Sequence, residues 1–146
     1  VFSVGSNHQV NASSENYIAY CFANSQFISV GSYTGNGNAN GTFVPTINSA
    51  GVPLQPSWVM IKAYSRTSPW TIYDTSRMPY NVNTKAIEAN ANTAEQTHSA
   101  AIIDIDTGGF KARGSSYYIN ESSATYIYLA MGTPLIDTDG RLIAGR

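Results

Sequence analysis

Apolar residues come in runs of four to seven, rich in Tyr, Ile, Val, Phe and Trp, and each run is bounded by Gly, Asn, Ser or Pro. The runs are residues 17–22, 27–33, 58–63, 70–74, 100–105, 110–113 and 125–130. Pieces this short cannot make helices of ordinary length, whereas a strand needs only about four to eight residues. Branched and aromatic side chains also fit a pleated, half-buried surface. Seven such pieces suit an all-β fold: an antiparallel two-layer sandwich, jelly-roll-like, because each sheet's apolar face needs a second layer to cover it. Residues 84–95 hold the one helix candidate, a turn or two over Ala86, Ile87, Ala89, Ala91 and Ala94, interrupted by Asn90 and Asn92.

Between the runs lie long loops. Gly35-Asn36-Gly37-Asn38-Ala39-Asn40-Gly41 is too rich in glycine for a strand or helix, and residues 45–56 read as a second, longer excursion. A chain of 146 residues fits one domain and buries roughly two-thirds of its unfolded surface without staples. Charged residues make up only 12%, about half the usual share, so Asn, Ser, Thr, Gly and Tyr must solvate the surface. The net charge of -1 provides no field to attract phosphate or anionic lipid, which argues against nucleic acid and membrane surfaces as partners. No apolar stretch approaches the length of a membrane helix, and the first residues lack a basic start, so neither a membrane span nor a signal peptide is expected. Cys21, the sole cysteine, sits in an apolar run and is expected to be a small buried hydrophobe. A single thiol forms no intrachain disulfide, which fits assembly in a reducing cytoplasm. A start at Val1 rather than Met leaves open an upstream segment or a longer parent.

One repeat is visible. Val10-Asn11, Ser13-Ser14 and Tyr17-Ile18 recur as Ile119-Asn120, Ser122-Ser123 and Tyr126-Ile127, at a constant offset of 109 residues. Phe2 and Phe110 precede the two blocks. Asn and Ser suit a turn between two strands because their side chains bond nearby backbone. Two readings stand: two hairpins of one sandwich share a turn, or residues 1–23 end a preceding module and 24–131 form a complete one.

Motifs for chemistry are sparse. His8 and His98 have no acid or thiol at metal-ligand spacing, and no nucleophile elbow, P-loop or zincin motif occurs. Asp104-Ile105-Asp106-Thr107-Gly108-Gly109 and Asp137-Thr138-Asp139-Gly140 look like the start of a calcium loop but lack its closing acid, so both read as Asx-type turns. Glu15, Asp74, Glu88 and Glu95 could supply a glycosidase pair only if folding brought two of them across a cleft. The expectation is a non-catalytic chain with neither cofactor nor metal. Ten tyrosines say more. Tyr33, Tyr64, Tyr80, Tyr117 and Tyr118 adjoin flexible polar residues, and with Asn36, Asn38 and Asn40 they form the expected binding surface, since loop tyrosines offer large, rigid, amphipathic contact area. Trp70, Tyr73, Asp74 and Arg77 are expected to form a structural corner in which the acid holds the guanidinium.

Residues 17–23, Gly31-Ser32-Tyr33-Thr34-Gly35-Asn36-Gly37, Trp58-Val59-Met60-Ile61-Lys62 and Trp70-Thr71-Ile72-Tyr73-Asp74-Thr75-Ser76-Arg77 carry a family likeness. So do Glu88-Ala89-Asn90, Ala94-Glu95, Gly109-Phe110-Lys111-Ala112-Arg113 and Thr125-Tyr126-Ile127-Tyr128. The chain resembles an uncharacterised β-sandwich module of bacteriophage tail-fibre and other phage structural proteins. That resemblance implies a virion protein: a tail-fibre or receptor-binding module contacting carbohydrate on the bacterial surface. The alternative is a capsid decoration or fibre joint, and a polysaccharide depolymerase is a third, less favoured class. Other virion proteins and a host surface glycan are the implied partners. Beyond the last family strand, Leu135-Ile136 and Leu142-Ile143 flank Asp-Thr-Asp-Gly, so residues 132–146 read as a hairpin tail. Such a hairpin is marginal alone and needs another surface, expected to be a neighbouring subunit of a homo-oligomer or, second, its own sandwich.

Overall fold

Val59, Ile61 and Ala63 are completely buried, while Trp58, Met60 and Lys62 between them are only partly so, the period-two pattern of a strand with one face on a core. The computed structural model describes residues 1–136 and 139–141. Among them run one short helix, α1 (His8–Asn11), and nine strands: β1 (Ile28–Thr34), β2 (Phe43–Pro45), β3 (Leu54–Ala63), β4 (Thr71–Asp74), β5 (Lys85–Glu88), β6 (Gln96–Thr97), β7 (Ile103–Asp106), β8 (Gly109–Ala112) and β9 (Thr125–Pro134). All pairings are antiparallel, in a six-stranded sheet ordered β1-β9-β3-β4-β5-β6 and a three-stranded sheet ordered β2-β8-β7. The fold is therefore an all-β, two-sheet sandwich.

The core lies between the sheets. Tyr33, Val59, Ile61, Tyr73, Tyr126 and Ala130 from the larger sheet meet Val44, Ile103, Ile105, Phe110 and Ala112 from the smaller. Tyr33 stacks on Tyr126 with ring centroids 5.0 Å apart and meets the Phe110 edge at 5.8 Å, geometries that add to the burial of three large rings. Between Pro56 and Trp58 the register of β3 against β9 shifts by one residue. Leu54 and Pro56 are buried before the shift, and Val59, Ile61 and Ala63 after it. The bulge at exposed Ser57 thus switches the inward parity from even to odd numbers and keeps one strand facing one core. Opposite it stands Gly132, where a Cβ would fall onto the Gln55 carbonyl.

Several expectations give way. Residues 84–95 form no helix: β5 occupies Lys85–Glu88, with Ala86 buried and Ile87 39% exposed, a strand alternation hidden under helix-forming residues. Residues 17–22 pair with no strand among the described residues, and Cys21 is exposed rather than buried. The excursion over residues 45–56 is bounded by two strands, the end of β2 and the start of β3. β9 continues past Met131 to Pro134, opposite Leu54–Pro56, so the sandwich takes in residues first assigned to the tail. Leu135 then donates its amide to the Pro53 carbonyl at 2.9 Å. Part of the expected hairpin, namely Asp137, Thr138, Leu142, Ile143 and the residues after them, lies outside the described residues.

Candidate functional site

β1 ends, β3 ends and β9 begins at one end of the larger sheet, where Tyr33, Ala63 and Tyr126 are aligned. Three connections converge there: the Asn-rich loop of residues 35–41, the corner of residues 64–68, and the turn of residues 114–124. Asn120, completely buried, ties the first of them to the third. Its Nδ2 donates to the Gly114 carbonyl at 2.8 Å, the Asn38 carbonyl at 2.9 Å and Asn36 Oδ1 at 3.0 Å, while its Oδ1 accepts the Asn36 amide at 3.0 Å. The Gly37 amide reaches the Asn120 carbonyl at 2.9 Å. A loop of seven small polar residues, disordered on composition alone, is thereby held on a side-chain amide. Within it, Asn36 Oδ1 also accepts the Asn38 amide and Asn38 Oδ1 the Asn40 amide.

The tyrosines divide. Tyr33 is a core residue and not part of an exposed surface: its ring is buried and its hydroxyl donates to the Ile119 carbonyl at 2.7 Å. Burial first, then the neighbouring Tyr126 and Tyr73 phenols, push its hydroxyl well above the ordinary tyrosine value. Tyr64 and Tyr117 are exposed, at 63% and 45%, and belong to the same end as the loop. The Tyr64 amide bonds the Thr125 carbonyl, Arg66 pairs with Glu121, and the Tyr117 carbonyl accepts the Tyr126 hydroxyl. Tyr118 is half-buried, 4.3 Å from the Tyr117 ring and edge-on to His98 at 5.5 Å. Its phenol is pushed up to about 12, first by the hydrogen bond with Tyr117 and then by burial. Tyr80 is exposed but follows the far end of β4, beside Asn81, whose Nδ2 bonds Asp106 Oδ1. Asn36, Asn38, Asn40, Tyr64, Tyr117 and Tyr118 are thus gathered at one end, and Tyr80 is at the other.

The corner at Asp74 is built at that same far end of β4. Arg77 Nε lies 2.5 Å from Asp74 Oδ2, its amide bonds Asp74 Oδ1 at 2.8 Å, and its terminal nitrogens reach the Ile72 carbonyl and Glu95, each at 3.1 Å. Tyr73 donates its hydroxyl to the Ala101 carbonyl, and the Trp70 amide bonds Asn90 Oδ1. The Tyr73 hydroxyl, the Asp74 carboxylate and the Arg77 guanidinium are all bonded to the protein itself. Burial would raise the Asp74 carboxyl, but the Arg77 amide and guanidinium outweigh it and hold the group below its usual value. Glu95 is lowered too, first by its bond to Arg77. Asp104 pairs with Arg113 at 3.2 Å, yet burial keeps its carboxyl raised. Among the described residues no three His, Cys, Asp or Glu are grouped to hold a metal ion, and no helix is long and apolar enough to cross a membrane.

Sequence reasoning missed Asn120 as the organiser of this end. Its signal was present: Asn120 is one of the residues that recur at the 109-residue offset.

Fold and site together define an all-β module that presents an amide-anchored Asn loop and two exposed phenol rings at one end. The chain belongs to the family described as domain of unknown function DUF7483, whose sequence pattern matches residues 1–133. No curated protein and no solved structure matches it.

Proposed function

We propose that this chain is a non-catalytic module of a bacteriophage virion, a tail-fibre or receptor-binding part that contacts bacterial surface carbohydrate through its loop-bearing end. The observation that carries the reading is the placement of exposed Tyr64 and Tyr117 at the same end as Asn36, Asn38 and Asn40, on backbone fixed by Asn120. Phenol rings stack on sugar faces while amides and hydroxyls take up the sugar hydroxyls, and a pre-fixed loop loses little entropy on binding. The phage assignment rests on the resemblance of the strand phrases. On this reading the other partners are virion proteins and further copies of the chain.

The test is binding of the full chain, displayed multivalently, to glycan arrays and to whole bacteria. Tyr64→Ala and Tyr117→Ala should each weaken binding about tenfold, a loss of about 1.4 kcal/mol. Blank arrays and cells with the intact chain would overturn the reading. One observation favours the structural alternative, a capsid decoration or fibre joint: Asn36 and Asn38 already use their side-chain oxygens within the loop. Imaging of the particle separates the two, because a loop end buried against other virion proteins leaves no host-facing role.

A further inference from the structure

Residues 7–17 fold as residues 116–126 do. The Val10 and Asn11 amides both bond the Asn7 carbonyl, as the Ile119 and Asn120 amides bond that of Ser116. Glu15 N–H reaches the Ala12 carbonyl, as Ala124 N–H reaches that of Glu121. The Tyr17 hydroxyl donates to the His8 carbonyl and accepts the Ala12 amide, as the Tyr126 hydroxyl does with Tyr117 and Glu121. Asn7 Oδ1 accepts the Gln9 amide where Ser116 Oγ accepts that of Tyr118. Ser14 and Ser123 both sit at φ 64°, a left-handed conformation that a serine adopts only where its surroundings fix it.

The two copies differ in what covers them. In the second, Ile119 and Tyr126 are 0% exposed, under the stacked Tyr33 ring and the residue 35–41 loop that grips Asn120. In the first, Val10 and Tyr17 are each 45% exposed, and an open hollow of about 410 Å³ lies between Phe2, Val4, Val10, Tyr17 and Ile18. Among the described residues the hydrogen bonds of residues 1–23 all close within that segment. Gly5 adds an independent sign. Its counterpart Gly114 must be glycine because a Cβ there would strike the Ala100 carbonyl, whereas nothing lies within 4 Å of a Cβ on Gly5. A glycine, a buried-type tyrosine and the counterpart of the amide organiser thus stand here without the cover that their counterparts have.

We infer that residues 5–22 are the closing unit of a second sandwich body of the same architecture, which grips Asn11 with its own Asn-Gly loop and covers Val10 and Tyr17 with its own β1. Residues 17–22 are then the central strand of that body, the counterpart of β9, which explains their strand-like composition without a partner here. Each unit leads directly into the next body, so modules of this kind join through a shared continuous strand-to-strand segment. The inference stands independently of what the module binds.

The test extends the chain by placing residues 24–113 directly ahead of Gly5, with Ala23→Gly because a Cβ at the counterpart position, Gly132, would strike the Gln55 carbonyl; this adds one body and keeps Cys21 as the sole cysteine. Cys21 is exposed in the chain as it is, and its counterpart Ala130 is completely buried. Reaction of Cys21 with a disulfide reagent should slow at least ~100-fold in the extended chain, and the amides of residues 10–22 should become protected from hydrogen exchange like those of residues 119–131. Asn11→Ala should leave the melting temperature of the original chain unchanged and abolish the protection in the extended one. A control extension carries residues 114–131 in place of 5–22. A folded control beside a Cys21 that reacts at the original rate would overturn the inference. A control that fails to fold would overturn it as well, since its closing unit is the one this sandwich itself uses.

Discussion

Asn120 shows how much one side chain can decide. It is buried and ties the residue 35–41 loop to its own turn, and removing it leaves the buried Gly114 carbonyl and the Asn36 amide without that partner. An unmatched buried polar group costs about 1–3 kcal/mol, so Asn120→Ala should lower stability by about 2–3 kcal/mol, read as a shift in the urea midpoint. The Tyr64 amide, bonded to the Thr125 carbonyl, should keep its exchange rate, while those of residues 36–40 exchange faster. Tyr33 teaches the complementary lesson. Beside Thr34 and Gly35 it reads as a loop tyrosine; only the pairing of Tyr33 with Tyr126 across β1 and β9 puts its ring in the core. Neighbours in sequence do not reveal that pairing.

At the scale of elements, six strands were legible because Ile, Val, Tyr, Phe and Trp dominate them. β2, β5 and β6 were not. Phe43-Val44-Pro45, Lys85-Ala86-Ile87-Glu88 and Gln96-Thr97 are two to four residues long, too short for any period to emerge, and β5 is written in residues that favour helices. Sheet position overrides that preference. The corner after β4 has a testable pH signature. The folded Asp74 carboxyl lies below its unfolded value of about 3.9, so its contribution to stability is full above that pH and is lost as pH falls through the lower folded value. Asp104, raised by burial, works with the opposite sign: its effect reduces stability as pH rises through its window. Melting temperatures measured from about pH 2 to pH 7 should show Asp74→Asn well below the parent at neutral pH and converging on it in acid. Parallel curves would refute that account.

For the whole molecule, the sandwich was foreseeable from strand number and punctuation, but its limits were not. Gly132-Thr133-Pro134 looks like the start of a tail, because Gly and Pro seldom extend a strand. Here the bulge at Ser57 creates a partner that accepts both, Pro56 opposite Gly132 and Leu54 opposite Pro134. Truncation after Met131 should therefore destabilise the sandwich by stripping that pairing and exposing Leu54. Calorimetry on the shortened chain checks this, and a melting temperature equal to that of the full chain would refute it. The candidate end was partly legible, as loop composition and tyrosine count, but its assembly depends on contacts between residues more than eighty positions apart.

The register of β1 and β9 also fixes how the protein meets mechanical load. Ile28 enters beside Met131, and β9 leaves a few residues further on, so both connections depart from the same end of adjacent antiparallel strands. Tension along the chain then falls on the Phe27–Gly132 bond and the Ile28–Met131 pair before their successors, peeling the edge strand β1 as a zipper opens. A parallel arrangement would share the force among all the rungs at once. The loop-bearing end, seven residues away, is the last part of that seam to feel the pull.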